Sequence, residues 1–396
     1  MKKIAILSFL LFTCFTFSQH PDIKPYVDHL KKVEKKSAKD YILQKFENHD
    51  IVILCERDHR DLSQYELIKD VLSDAYFKKN VKNLFTEIGV INLQPEITAF
   101  LKTKGLDSLY VEHKLAEFQF NSSFWSLWEK YNYQYLLRTI YDINNPSADQ
   151  INYYPSDVEF DWSQVLNSDD YRREMETETE PRDSLMAYNI IRQYEKFTSE
   201  SNTKALIILN YRHAFKIHTL GAGGLMKNTT KYLFDYFGDR ATNIMISQAN
   251  FSEKDNEFEY TLIQNGKWDA SFKYLNIDDV GFDLGGTAFG KDNLDIWNVD
   301  ATHTYEETFD GFVFYKPIEA YQLVSYFDGL IPKEMEEEFF RRFKIQLEYQ
   351  NNTALLEKLN TTDFRERILK EVNTRREDKY PNLAQLITDR DNYLKE

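Results

Sequence analysis

Ile51-Val52-Ile53-Leu54 is an apolar run rich in β-branched residues and bounded by Asp50 and Glu56, which predicts a strand buried on both faces. A helix is predicted from Leu62 to about Lys79, because Leu67, Ile68, Val71, Leu72 and Tyr76 recur along one helical face. The alternation continues with strands at 84–88, 151–158, 205–209, 243–247 and 312–315, and helices at 93–102, 122–140, 183–198 and 226–237. Residues 21–48 predict one or two cap helices, and 250–316 are turn-rich, with Gly281, Gly285, Gly286, Gly290 and Gly311. Strand-helix alternation of this kind defines the fold class as α/β, a mainly parallel sheet with helices on both faces. The expected organisation is one domain over 19–330 and a charged helical C-terminal extension over 331–396.

Residues 1–18 read as a cleaved signal peptide: Lys2 and Lys3, an apolar run to Phe12, then Thr16 and Ser18 before a cut at Gln19. The mature chain is therefore expected to be secreted or periplasmic. Thr13 is larger than the residue usual before a lipidated Cys, which argues against a lipoprotein anchor at Cys14. No later stretch reaches the ~18–20 apolar residues of a membrane span. Cleavage leaves Cys55 as the single thiol, so no internal disulfide is expected. The formal charge of 49 − 64 = −15 gives no general phosphate-binding surface, and nucleic acid is not an expected partner. The sequence is silent on oligomeric state.

In open sheets of this class ligands bind beyond the carboxyl ends of the strands. The residues there are unusually polar: Cys55-Glu56-Arg57-Asp58-His59, then Glu87, then Asp157, then Asn210-Tyr211-Arg212-His213. Glu56 and His59, three apart, can share a cleft, where a carboxylate fixes the imidazole tautomer and raises its basicity; the alternative is a solvated charged loop. Glu87 closes an apolar strand, where a carboxylate needs a partner, and His213 offers a second imidazole at the same sheet edge. Arg182-Asp183 begins a helix: Asp183 either caps it or, with Arg182, frames the cleft. The aromatic group Tyr131, Tyr133, Tyr135, Tyr141, Tyr153, Tyr154, Trp125 and Trp128 reads as helix core, with pocket lining as the alternative. Gly221-Ala222-Gly223-Gly224 lacks the partners of a phosphate loop and reads as a flexible turn.

The ordered set of motifs resembles the erythromycin esterase-like family, which is related to the ChaN-like haem-binding proteins. The segments that carry the resemblance are Ile51–His59, Phe85-Thr86-Glu87, Arg182-Asp183-Ser184-Leu185-Met186-Ala187-Tyr188-Asn189, Ile208–His213 and Phe309-Asp310-Gly311-Phe312-Val313, over roughly 45–320. Cys55, Asn210 and Tyr211 depart from the family pattern, where Gly, His and Asn stand.

The resemblance implies an α/β/α hydrolase that opens an ester or lactone with water activated by a His. On this chain His59 would be the base, Glu56 and Glu87 would orient it and the water, and His213 would polarise the carbonyl. Arg57, Asn210, Arg182, Asp183 and Asp157 would bind substrate. No cofactor is expected, although two imidazoles and two carboxylates could hold a divalent metal, and the ChaN kinship allows haem. A haem- or metal-binding protein and a diverged inactive member are the alternatives to an exported hydrolase of an unidentified small molecule.

Overall fold

The computed structural model describes residues 20–178, 182–198, 203–221, 224–254, 257–296 and 302–395. The signal-peptide segment lies outside them, as does the middle of the glycine turn at 222–223. Seven strands form the central sheet: β1 (Ile51–Glu56), β2 (Asn83–Val90), β3 (Asn152–Asp157), β4 (Ala205–Asn210), β5 (Ala241–Ile246), β6 (Asp279–Asp283) and β7 (Gly311–Tyr315). Their order is β6-β7-β5-β1-β4-β2-β3, all parallel except β6, which pairs antiparallel with β7. The fold is thus the expected α/β class, and the chain reverses its direction of travel across the sheet around β1, β4 and β2.

Alternation along β1 sorts its side chains between two cores. Val52 and Leu54 pack with Ile68, Leu72, Leu137 and Ile140, from helices α1 (Leu62–Ser73) and α3 (Asn132–Asn144). Ile51, Ile53 and Cys55 face the opposite layer, with Ile190 of α4 (Arg182–Thr198), Leu233 of α5 (Thr229–Phe237) and Trp268. Cys55 is fully buried there, away from the carboxyl-end cleft, and burial pushes its thiol up.

The chain differs from expectation most at 122–140. Helix α2 (Ser108–Asn121) ends there, and a loop runs to Tyr131 before α3 begins. Side chains take over the backbone bonding: Ser122 Oγ donates to Gln119 O, and Gln119 Nε2 donates to the carbonyls of Trp128 and Lys130. The predicted helix start at Met226 also moves. Gly224–Lys227 pairs with His218–Gly221 as a hairpin, and Asn228 accepts from Lys231 N to start α5 at Thr229. Strand β6 and the hairpin of Ala249–Lys254 with Glu257–Leu262 arise inside the stretch read as turn-rich.

Helix α6 (Glu336–Tyr349) puts Phe339, Phe340 and Leu347 into a cluster with Phe120, Leu127 and Phe327, and Arg376–Asp378 pairs with Leu323–Ser325. The Phe309–Val313 motif is explained by packing. Asp310 accepts from Thr242 Oγ1 and Asn243 N, joining β5 to the start of β7. Tyr41 lies directly over Gly281 and Gly311, where a Cβ would come within 2.4 Å and 2.2 Å of its atoms.

The approach at Gly281 meets the Cβ and Cγ of Tyr41, which a rotamer change cannot clear. Gly281→Ala is expected to lower unfolding stability by about 1–3 kcal/mol or more, read as a fall in the urea midpoint at unchanged slope. An unchanged midpoint would show that Tyr41 does not hold this edge of the sheet.

Candidate active site

The carboxyl ends of β1, β4 and β2 open into a cavity of about 520 Å³ beneath the 122–131 loop. His59, Glu87, Asp157, Arg182, Asn210 and His213 all line it, so the structure gathers six of the nine expected site residues around one space. Glu56 and Asp183 stand behind the two imidazoles and touch them directly. Arg57 does not belong to this group. It is fully buried on the far side of the turn, paired with Asp61 at 2.7 Å, donating to Ser247 O at 2.9 Å and lying 3.7 Å from the Tyr321 ring centroid. Expected to bind substrate, Arg57 instead pins the β1–α1 turn to the ends of β5 and β7.

Glu56 is the last residue of β1 and shares the face of Val52 and Leu54, so its carboxylate is buried against α1 and α3. Oε2 meets His59 Nδ1 at 2.9 Å, while Oε1 accepts from Tyr65 OH at 2.6 Å. With Nδ1–H given to Glu56, the lone pair of neutral His59 sits on Nε2, which faces Glu87 Oε1 across 3.9 Å. His59 is only 14% exposed, and the edge of its ring contact is Trp128, centroid to centroid 5.1 Å.

Glu87 owes its aim to a break in the sheet. The β2–β3 register shifts between Thr86 and Val90, and the β2–β4 ladder stops at Thr86. Gly89 makes the shift possible: its φ is +113°, and a Cβ would come within 2.8 Å of Pro155. The released carboxylate is 5% exposed and fully engaged. Oε2 accepts from Asn210 N at 2.8 Å, and Oε1 lies 3.2 Å from Arg182 Nη2 and 3.4 Å from His213 Nε2.

Arg182, at the start of α4, also forks onto Asp157 with contacts of 2.7 and 3.0 Å. Asn189, two turns on, donates to the carbonyls of Ser156 and Asp157 and fixes the helix on the end of β3. His213 arrives on the short turn Tyr211–His213 after β4, and its Nδ1 meets Asp183 Oδ1 at 2.7 Å. The same Asp183 oxygen accepts from Thr229 N and Oγ1, so its carboxylate ties α4 to the start of α5 and orients an imidazole. Asn210 donates its side-chain amide to Arg57 O, closing β4 onto the β1 turn.

These contacts set the protonation pattern. Burial opposes charge on His213, but Glu87 and Asp183 overcome it and lift its pKa to about 9. His59 is raised as well, burial and Lys130 being outweighed by Glu56 and then Glu87. Burial would push Glu87 up; His213, Arg182 and His59 instead hold it well below the usual carboxylate range.

The notch between Glu87 and His213 Nε2 is filled by a permanent cation, since Arg182 Nη1 lies 3.3 Å from His213 Nε2 and Nη2 is bonded to Glu87. A divalent ion does not fit beside it, and among the described residues no three His, Cys, Asp or Glu side chains are arranged to hold a metal.

Sequence reasoning missed Tyr65 and Asn132, which hold Glu56, and Thr229, which holds Asp183, behind the two imidazoles. Of the aromatic group, Trp125 and Trp128 line the cavity, together with Phe124. Tyr133, Tyr141 and Tyr153 are buried in the core as expected.

No protein-family model and no curated protein matches the sequence. Solved structures do match in fold. A succinoglycan biosynthesis protein is similar over 76% of this chain and 97% of its own, at 10% identity and a TM-score of 0.48. A mutant of erythromycin esterase EreC in its open conformation covers 74% and 96%, at 11% identity and a TM-score of 0.45. Haem-bound ChaN of Campylobacter jejuni covers 58% and 93%, at 11% identity and a TM-score of 0.34. The expected likeness to erythromycin esterase and to ChaN is found at the level of fold.

A group whose pKa is raised on folding stabilises the native state below its unfolded value and loses that contribution as pH rises through its folded value. For His213 the window runs from about 6.5 to about 9. Unfolding free energy is therefore expected to fall on the order of 2–3 kcal/mol from pH 7 to pH 10, less so in Asp183→Asn. A flat urea-denaturation profile over that range would contradict the charged imidazole.

Proposed function

We propose that this chain is an exported hydrolase that opens an ester, lactone or similar bond of a small molecule with water activated by His59. The observation that carries the reading is the Glu56–His59 pair: a carboxylate at 2.9 Å holds Nδ1 and leaves Nε2 as the proton acceptor on the cavity side. The leader-like residues 1–18 support export. No helix among the described residues is long and apolar enough to cross a membrane.

The two imidazoles take opposite roles. His59 must be neutral to accept a proton from water. His213, charged near neutrality, hydrogen-bonds or polarises the substrate carbonyl and stabilises the oxyanion as it forms, with Arg182 beside it. Glu87 balances the imidazolium and Arg182. Trp128, Trp125 and Phe124 give the substrate an apolar wall. The chemistry proposed draws on no metal, because Arg182 supplies positive charge where an ion would otherwise sit.

An ester and lactone panel is expected to yield a substrate whose turnover falls roughly 10²–10⁴-fold in His59→Ala, with the circular dichroism spectrum kept and chelators without effect. kcat/KM should be bell-shaped in pH. Its acid limb, set by His59, should lie above the ordinary imidazole value, and its alkaline limb, set by His213, near about 9. Retained turnover in His59→Ala removes the base; a Soret band on haem titration, without turnover, supports a binder instead.

A further inference from the structure

Behind the Glu56–His59 pair runs a chain of buried donors, each pointing the same way. Trp128 Nε1 donates to Asn132 Oδ1 at 3.0 Å, Asn132 Nδ2 to Tyr65 OH at 2.9 Å, and Tyr65 OH to Glu56 Oε1 at 2.6 Å. Glu56 Oε2 then receives His59 Nδ1, and the His59 ring returns to Trp128 edge-on. The loop closes on itself. Tyr65 and Asn132 are each about 3% exposed and neither lines the cavity, so neither can touch a ligand. The longer contacts to the same oxygen, from Gln64 and Asn132 at 3.4 Å, leave Tyr65 as its one short donor.

We propose that Tyr65 and Asn132 are positioning residues for His59: they lock the Glu56 carboxylate so that one oxygen serves Nδ1 alone, and they tie that lock to the Trp128 wall of the cavity. Burial and Glu56 keep the Tyr65 proton in place, so the hydroxyl remains a donor throughout. The carboxylate cannot rotate without orphaning an oxygen in a site shut off from water, which makes this constraint on the imidazole stiffer than a surface ion pair. Trp128 couples the two ends. A ligand that shifts the indole moves both the ring edge against His59 and the first donor of the chain.

The inference rests on His59 as the base, but its test does not need turnover. In the full chain, the His59 imidazole is titrated by NMR in the wild type, Tyr65→Phe, Glu56→Gln and the double variant. Tyr65→Phe keeps the buried ring and is expected to move the His59 midpoint by roughly half a unit or more. In the Glu56→Gln background it should add nothing, since Tyr65 acts only through that carboxylate. Asn132→Ala, a second variant, should shift the midpoint in the same direction by less. An unmoved midpoint in Tyr65→Phe, or equal shifts in both backgrounds, overturns the proposal even where hydrolysis is found. Where a substrate is in hand, Tyr65→Phe should lower kcat roughly 10–100-fold at nearly constant KM, whereas a merely structural loss would move KM and thermal midpoint together.

Discussion

A single carboxylate at the break in an interrupted strand organises this molecule's cleft. Glu87 is buried, and an isolated buried carboxylate would cost several kcal/mol or neutralise itself. It does neither, because Arg182, His213 and the Asn210 amide converge on it from two other elements. Those partners in turn fix β4, α4 and, through Asp157, β3. Removing Glu87 would therefore leave a buried guanidinium short of one carboxylate and the His213 imidazole with Asp183 as its one remaining carboxylate contact. The register shift at Gly89 that aims it is a weakness in the sheet that only this convergence makes tolerable.

The protonation of the cleft follows from a count of charges. Among the charged groups in direct contact with the two imidazoles, three carboxylates, Glu56, Glu87 and Asp183, stand against one guanidinium, Arg182. Protons are drawn onto the imidazoles to reduce the imbalance, but not equally. His213 touches two carboxylates, Glu87 and Asp183, within 3.4 Å. His59 touches one at that range and has Lys130 nearby to oppose it. Two residues of one type thereby sit in different charge environments, set by geometry alone.

Much of this was legible in the sequence, for definite reasons. Strands buried on both faces write uninterrupted apolar runs, so β1 and β4 could be placed nearly to the residue, whereas β5, where Thr242 and Asn243 break the run, starts two residues before the expected position. Their polar successors had to fall at the carboxyl edge, which located Glu56, His59, Glu87, Asp157 and Asn210. Arg57 misled because adjacency in a turn says nothing about which side a long side chain takes, and a partner at Asp61 with the Tyr321 face drew it inward. The 122–131 loop was invisible for another reason. Its backbone is held by Gln119 and Ser122 side chains, and neither leaves a periodic trace. Tyr65 and Asn132 carry no signature either, since a buried Tyr and Asn on helix faces look like ordinary core positions until the partner across the cleft is known.

The division of labour proposed for the imidazoles is compatible with a neutral Asn210 at the end of β4. An additional imidazole there would compete for Glu87, whose Oε2 is already occupied by the Asn210 backbone amide and whose Oε1 is shared by Arg182 and His213. The neutral amide instead donates to Arg57 O and locks β4 to the turn that carries His59, adding rigidity without adding charge. On the proposed reading the cleft has the three elements that acyl hydrolysis demands: His59 as a base for water, His213 as a donor for the oxyanion with Arg182 beside it, and Glu87 as the counter-charge of both cations.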